Sequence, residues 1–177
     1  AIEIRRSIRA YGDRPVEREK LEAVLRAGNQ APIFGRLHMS VFAGPEQLQA
    51  VDAAAVAGMA RSGVPFLENL AAQEGYHPLY GAAALVVLSA PGGLDEKGFN
   101  MANVSCAAEN MLLAAAGLGL GSCFLMGPMA AFSDPALRAR LELPGGYEPL
   151  VGVALGYAAL ERPVAPERTD AGITWCR

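Results

Sequence analysis

Apolar positions along the chain fall into blocks whose spacing switches between helical and extended. The densest block is 103–127, NVSCAAENMLLAAAGLGLGSCFLMG. Val104, Ala107, Ala108, Met111, Leu112 and Ala115 recur at helical spacing, and Leu113, Ala114 and Ala116 fill most of the opposite side. Only Asn103, Ser105, Glu109 and Asn110 bring polar side chains, so the pattern predicts a long apolar helix ended by glycines and followed by a short buried strand over 122–126. Such a helix needs cover on nearly every side. A second copy of itself across a two-fold axis would supply it, and so would an ordinary place in the core.

The remaining blocks predict a mixture of elements. Leu21, Val24 and Leu25 form the inner stripe of a helix over 15–28, with Glu17 and Glu19 at its positive dipole end and Gly28, Asn29 and Pro32 stopping it. Leu37, Met39 and Val41 alternate with Arg36, His38 and Ser40, a half-buried strand with one polar face. Pro45 and Pro65 each open a helix, the first carrying Leu48, Val51, Ala55 and Met59. The almost continuous apolar run AALVVLSA at 83–90 predicts a central strand. Asp134 caps a short helix begun by Pro135, and 149–157, PLVGVALGY, predicts a last strand. Gly117, Gly119 and Gly121 imitate a dinucleotide fingerprint, but here a helix precedes the glycines and a strand follows, the reverse of what that motif requires. Irregular alternation without repeats predicts one α+β domain over 1–177, with a four- or five-stranded mixed sheet flanked by helices.

Composition narrows the class. The 177 residues are 52% hydrophobic and 19% charged, an apolar-leaning balance that suits a chain hiding surface in an oligomer, and the formal charge of −3 gives no reason to expect nucleic acid or an anionic membrane. Cys106, Cys123 and Cys176 are odd in number and lack CxxC spacing, which predicts a reducing compartment and no metal site. No apolar run reaches spanning length and the basic start has no apolar signal region behind it, so the expected location is the cytoplasm.

Candidate chemistry is concentrated at the start. IRRSIRAY places Arg5, Arg6, Ser7 and Arg9 within five residues of an otherwise acidic protein. A helix would put Arg5 and Arg9 on one face; an extended chain would put Arg5, Ser7 and Arg9 there. Either way guanidiniums converge, and their planar forks suit phosphate oxygens. The alternative is a solvated basic terminus. His38 reads as a structural or solvated histidine or as a proton donor. The loop 73–81 holds Tyr76, His77 and Tyr80, which either border a planar ligand or pack the loop itself. The tail ends in the alternating GITWCR, whose Ile173 and Trp175 need a surface to lie against.

Taken in order, RRSIRAY, the helix-to-strand segment 103–127 and LVGVALGY resemble the nitroreductase family of flavin enzymes along nearly the whole chain. The resemblance implies an α+β sandwich, an intertwined homodimer, one FMN per site at the dimer interface, and residues 158–177 as an arm reaching across the partner. It implies that Arg5, Arg6, Ser7 and Arg9 contact the FMN phosphate and ribityl chain, that the backbone of Leu125, Met126 and Gly127 lies along the flavin, and that Arg168 returns to the phosphate. Pro166 stands where relatives often have a lysine. In APIFGRLHMSVF, Pro32, Ile33 and Phe34 are expected to line the flavin through their backbone, because they lack the polar side chains usual there.

The function so implied is an FMN-dependent oxidoreductase that uses NAD(P)H, NADPH included, to reduce a nitroaromatic, a quinone or another small electrophile. Donor and acceptor would use one pocket in turn, with no side chain required as catalytic acid or base. The alternatives are a non-catalytic flavin-binding or regulatory homodimer of the same fold, and a dimeric interaction protein without flavin.

Overall fold

The computed structural model describes residues 1–92, 98–161, 163–164 and 172–176. Four strands, β1 (His38–Phe42), β2 (Ala84–Pro91), β3 (Gly121–Leu125) and β4 (Tyr147–Gly156), form one sheet in the order β1-β2-β4-β3. Around it lie α1 (Arg18–Asn29), α2 (Pro45–Met59), α3 (Pro65–Ala71), α4 (Phe99–Gly117), α5 (Pro135–Ala139) and a 3-10 helix, Gly127–Ser133. All three strand pairings are antiparallel. The parallel element of the expected mixed sheet is a single bridge, Ser7 to Ser122, on the outer edge of β3.

The apolar run of β2 is continuous because both faces of the sheet are covered. Ala84, Val86, Leu88 and Ala90 point into a core shared with Val104, Ala107, Ala108 and Met111 of α4 and Val24 of α1. Leu85 and Val87 point the other way, into a core with Val51 and Ala55 of α2 and Ala131 and Phe132 of the 3-10 helix. The period of two along the strand thus feeds two cores rather than one core and solvent. The molecule is a three-layer sandwich, α1 and α4 on one face, α2 and the 3-10 helix on the other.

Close backbone approach sets the layer spacing at two glycines. A Cβ added at Gly58 of α2 would lie 2.3 Å from the Ala130 carbonyl oxygen, so α2 rests backbone to backbone on the 3-10 helix. A Cβ at Gly121 would meet Ile8 at 2.9 Å, so the N-terminal segment lies flat on the start of β3. Helix α4 begins four residues before the sequence predicts, after a left-handed Gly98. Its buried positions match the predicted stripe, but Phe99, Ala102, Cys106 and Glu109 remain exposed along one line, so the rest of the described chain covers the helix on most sides and not all. Asp134 caps α5 as expected, accepting from the Ala136 and Leu137 N–H groups at 2.8 and 3.1 Å.

Candidate functional site

The segment 7–11 is extended, which decides between the two geometries open to IRRSIRAY. Ser7 bridges Ser122 in parallel, the Ile8 N–H donates to the Ser122 carbonyl at 2.9 Å, and Tyr11 bridges Ala158 antiparallel. The Gly12 N–H donates to Tyr157 at 2.9 Å and the Ala159 N–H to Ala10 at 3.0 Å. The segment is therefore laced between the outer edge of β3 and the exit of β4. Alternation then places Arg5, Ser7 and Arg9 on one side. All three act on the Cys123 thiol beneath them: burial pushes that thiol up, while Arg9, a hydrogen bond from Ser7, and Arg5 pull it down. Tyr11 continues the same face into the core, its hydroxyl 3.5 Å from the Ala154 carbonyl oxygen, and burial raises its phenol well above the ordinary value.

The four cationic and hydroxyl candidates differ in their engagement. Arg5 faces Glu109 of α4 at 3.5 Å, a partly exposed pair. Arg6 is turned toward main chain, its guanidinium donating to the carbonyls of Pro163 (3.1 Å), Glu3 (2.7 Å) and Arg5 (2.6 Å). It ties the N-terminal turn to the start of the tail rather than joining the other three. Arg9 is exposed and stands between two clefts. One, of about 250 Å³, runs past Ser7 to Leu160 and Pro163. The other, of about 980 Å³, opens between α2 and the loop 73–83 and includes none of Leu125, Met126 or Gly127.

Leu125 closes β3, and Met126 and Gly127 lead into the 3-10 helix. Met126 is exposed, and a Cβ at Gly127 would touch Met59 at 3.4 Å and Leu67 at 3.7 Å, so this backbone turns beneath α2 and α3. Pro32, Ile33 and Phe34 belong to the other layer. Asn103 of α4 brackets Phe34, accepting from its N–H at 3.1 Å and donating to its carbonyl at 2.6 Å, and the Phe34 ring leans on Phe99 at 6.5 Å. The chain therefore assembles Arg5, Ser7 and Arg9 over β3, which ends at Leu125 and leads into Met126 and Gly127. It holds Pro32–Phe34 on the α4 layer. Arg168 and Pro166 lie outside the described residues.

His38 takes the structural one of the roles its pattern left open, and Tyr157 has a role the pattern did not reveal. His38 places Nε2 3.1 Å from the Leu141 carbonyl oxygen, which also accepts from Ser40 at 2.7 Å, so His38 is a fastening between β1 and the α5–β4 connection. Tyr157 anchors a polar knot: its hydroxyl donates to Glu17 at 2.6 Å and accepts from Lys20 at 2.8 Å, with the Arg14 guanidinium 4.0 Å above its ring. The Tyr157 hydrogen bond, a backbone N–H and Arg14 hold the Glu17 carboxyl down at about 2. The sequence signal for this knot was only the aromatic ending of LVGVALGY.

These features define an α/β/α sandwich with two arginines and a hydroxyl gathered on one sheet edge. The Nitroreductase family model matches residues 2–157, and the chain belongs to that family. An NADH dehydrogenase/NAD(P)H nitroreductase, so named, from Archaeoglobus fulgidus is 32% identical over 166 residues, 91% of this chain and 85% of that protein. A crystal structure of a nitroreductase with bound FMN from Bacteroides fragilis matches with a TM-score of 0.84 and 30% identity, covering 99% of this chain and 96% of that one. A nitroreductase with bound FMN from Desulfitobacterium hafniense has a TM-score of 0.85 over 99% of this chain and 96% of its own; at 24% identity it speaks for the fold.

Proposed function

We propose that this chain is an FMN-dependent oxidoreductase that takes reducing equivalents from NAD(P)H and passes them to a nitroaromatic, a quinone or another small electrophile. The observation that carries the reading is the placement of Arg5, Ser7 and Arg9 on one face of an extended strand docked on β3. Two fixed cations and a hydroxyl in a row suit a phosphate followed by a polyol. FMN, when bound, supplies the two-electron chemistry that no side chain here can perform.

The protein's contribution is positional. Arg5 and Ser7 hold the anionic and hydroxyl-bearing end, Arg9 supplies a cation further along, and the main chain at Leu125–Gly127 meets the ring without a side chain at Gly127 to crowd it. Arg6 serves indirectly, by fixing the turn that presents Arg5. Pro32–Phe34 is held by Asn103 on the α4 layer while Leu125–Gly127 turns beneath α2 and α3, which favours a contribution to the site from a second copy. The working unit is accordingly a homodimer. Among the described residues no helix is long and apolar enough to cross a membrane, and the proposed location is the cytoplasm.

The first test is the visible spectrum of purified protein titrated with FMN and then, anaerobically, with NADPH. Bound flavin that bleaches on adding the nicotinamide supports the reading. Flavin that binds and does not bleach turns it toward the non-catalytic homodimer. Arg5→Ala should raise the FMN Kd by roughly 10- to 100-fold, the worth of one charge-assisted contact.

A further inference from the structure

We propose that the cleft between α2 and the loop 73–83 is a second ligand site, shaped for a planar aromatic molecule that is uncharged or cationic. The cleft has a volume of about 980 Å³, ample for a drug-sized ring system. Its side wall is the pair Tyr76 and Tyr80, ring centroids 6.4 Å apart and nearly perpendicular, which offers one ring face and one ring edge. Buried Leu48 and Leu79 supply an apolar floor.

The wall is held in place. Asp52 of α2 accepts from the Leu79 N–H at 2.8 Å and pairs with His77 Nδ1 at 2.7 Å. Tyr80 adopts a left-handed φ of 55°, an uncommon conformation for a tyrosine that this anchoring supports. Since a carboxylate only accepts, His77 Nδ1 donates in that pair and the Asp52 carboxylate is engaged at both oxygens. The side chains lining the cleft are otherwise acceptor-rich and acidic: Asp13 and Glu74 are exposed carboxylates, and Arg9 is the one fixed cation among the described lining residues. Arg9 also lines the smaller cleft beside Ser7, and in the flavin reading, on which this step rests, its charge belongs to the cofactor. What remains repels anions and favours a ring that donates hydrogen bonds or carries positive charge. Burial and the Tyr80 hydrogen bond push the Tyr76 phenol up to about 12, so the wall itself stays neutral.

The test uses three planar probes in equilibrium dialysis against flavin-loaded protein: the cation proflavine, uncharged menadione and the anion anthraquinone-2-sulfonate. The binding that Tyr76→Ala weakens should be at least tenfold tighter for proflavine and menadione than for the sulfonate, a comparison that sets aside quinone bound at the acceptor site of the flavin reading. Tyr76→Ala should weaken proflavine roughly fivefold or more. The exposed double change Asp13→Asn with Glu74→Gln, which touches no core residue, should bring proflavine down toward menadione. Tighter binding of the sulfonate, or proflavine binding indifferent to both variants, overturns the proposal. So does competitive displacement of proflavine by FMN in apoprotein, since the cleft would then be the cofactor's own seat. The FMN titration reports on the flavin separately: proflavine binding without FMN binding removes the flavin reading and leaves the cleft standing.

Discussion

Replacing Gly58 with alanine tests how the two helical elements above β3 are spaced. In an unobstructed helix interior this substitution stabilises by about 1 kcal/mol, because glycine gives up more backbone freedom on folding. Here the new Cβ would sit 2.3 Å from the Ala130 carbonyl oxygen, 2.7 Å from its carbon and 3.0 Å from its Cβ. Two of those atoms are main chain and cannot rotate away, so relief requires α2 and the 3-10 helix to part by roughly an ångström. Overpacking of this kind costs at least the upper part of the 1–3 kcal/mol range, leaving a net loss of about 2 kcal/mol after the propensity gain. Urea unfolding followed by far-UV circular dichroism should show the midpoint falling by about 1 M with an unchanged slope. Gly117→Ala, at a position where nothing lies within 4 Å, is the control and should be neutral or up to about 1 kcal/mol stabilising. A Gly58→Ala protein as stable as the parent would refute the reasoning. Because the 3-10 helix starts at Gly127, the same variant should also bind FMN more weakly, read by flavin absorbance.

Three further outcomes follow from individual contacts. Asn103→Leu removes both hydrogen bonds to Phe34 and should cost about 1–3 kcal/mol, with proteolysis newly admitted near residues 32–36. The Glu17 carboxyl is held at about 2, below the ordinary value of about 4.3, so its stabilising contribution is full above that value and disappears as pH falls toward 2. Urea midpoints of wild type and Glu17→Gln should therefore differ at pH 7 and converge between pH 4.3 and 2; a gap that stays constant through that window would contradict the assignment. Ser40→Ala and His38→Ala each remove a donor from the Leu141 carbonyl, and each should lower stability while leaving FMN affinity unchanged in a flavin titration.

Local pattern carried most of the layer structure. The unbroken apolar run of β2, the small-residue stripe of α4 and the Asp134–Pro135 start of α5 all act through near neighbours and were legible as such. The 3-10 helix GPMAAFS was not, because three residues per turn over seven positions leaves no period to detect. Sheet direction also escaped: continuous hydrophobicity reports burial on both faces, and antiparallel strands between two helical layers satisfy it as well as parallel ones. At the site, the cluster Arg5, Ser7 and Arg9 stood out in the sequence because charge was concentrated there. That Arg6 would turn away, and that Asp52 would fasten a loop 25 residues on, depend on tertiary hydrogen bonds that no spacing rule encodes.

The lacing of residues 7–12 has a kinetic consequence. Its partners, Ser122 and Tyr157 to Ala159, lie more than a hundred residues away, so the face bearing Arg5, Ser7 and Arg9 is completed only when the two ends of the chain meet. Ile8 and Tyr11 of that strip reach into the core under α2, so peeling it from β3 withdraws those two side chains from that core while the core under α4 stays intact. Amide hydrogens at Ile8, Gly12 and Ala159 should thus exchange through a local opening, faster than those of β2. Loss of cofactor would then precede unfolding on heating, with the bare protein ready to reload when its ends close again.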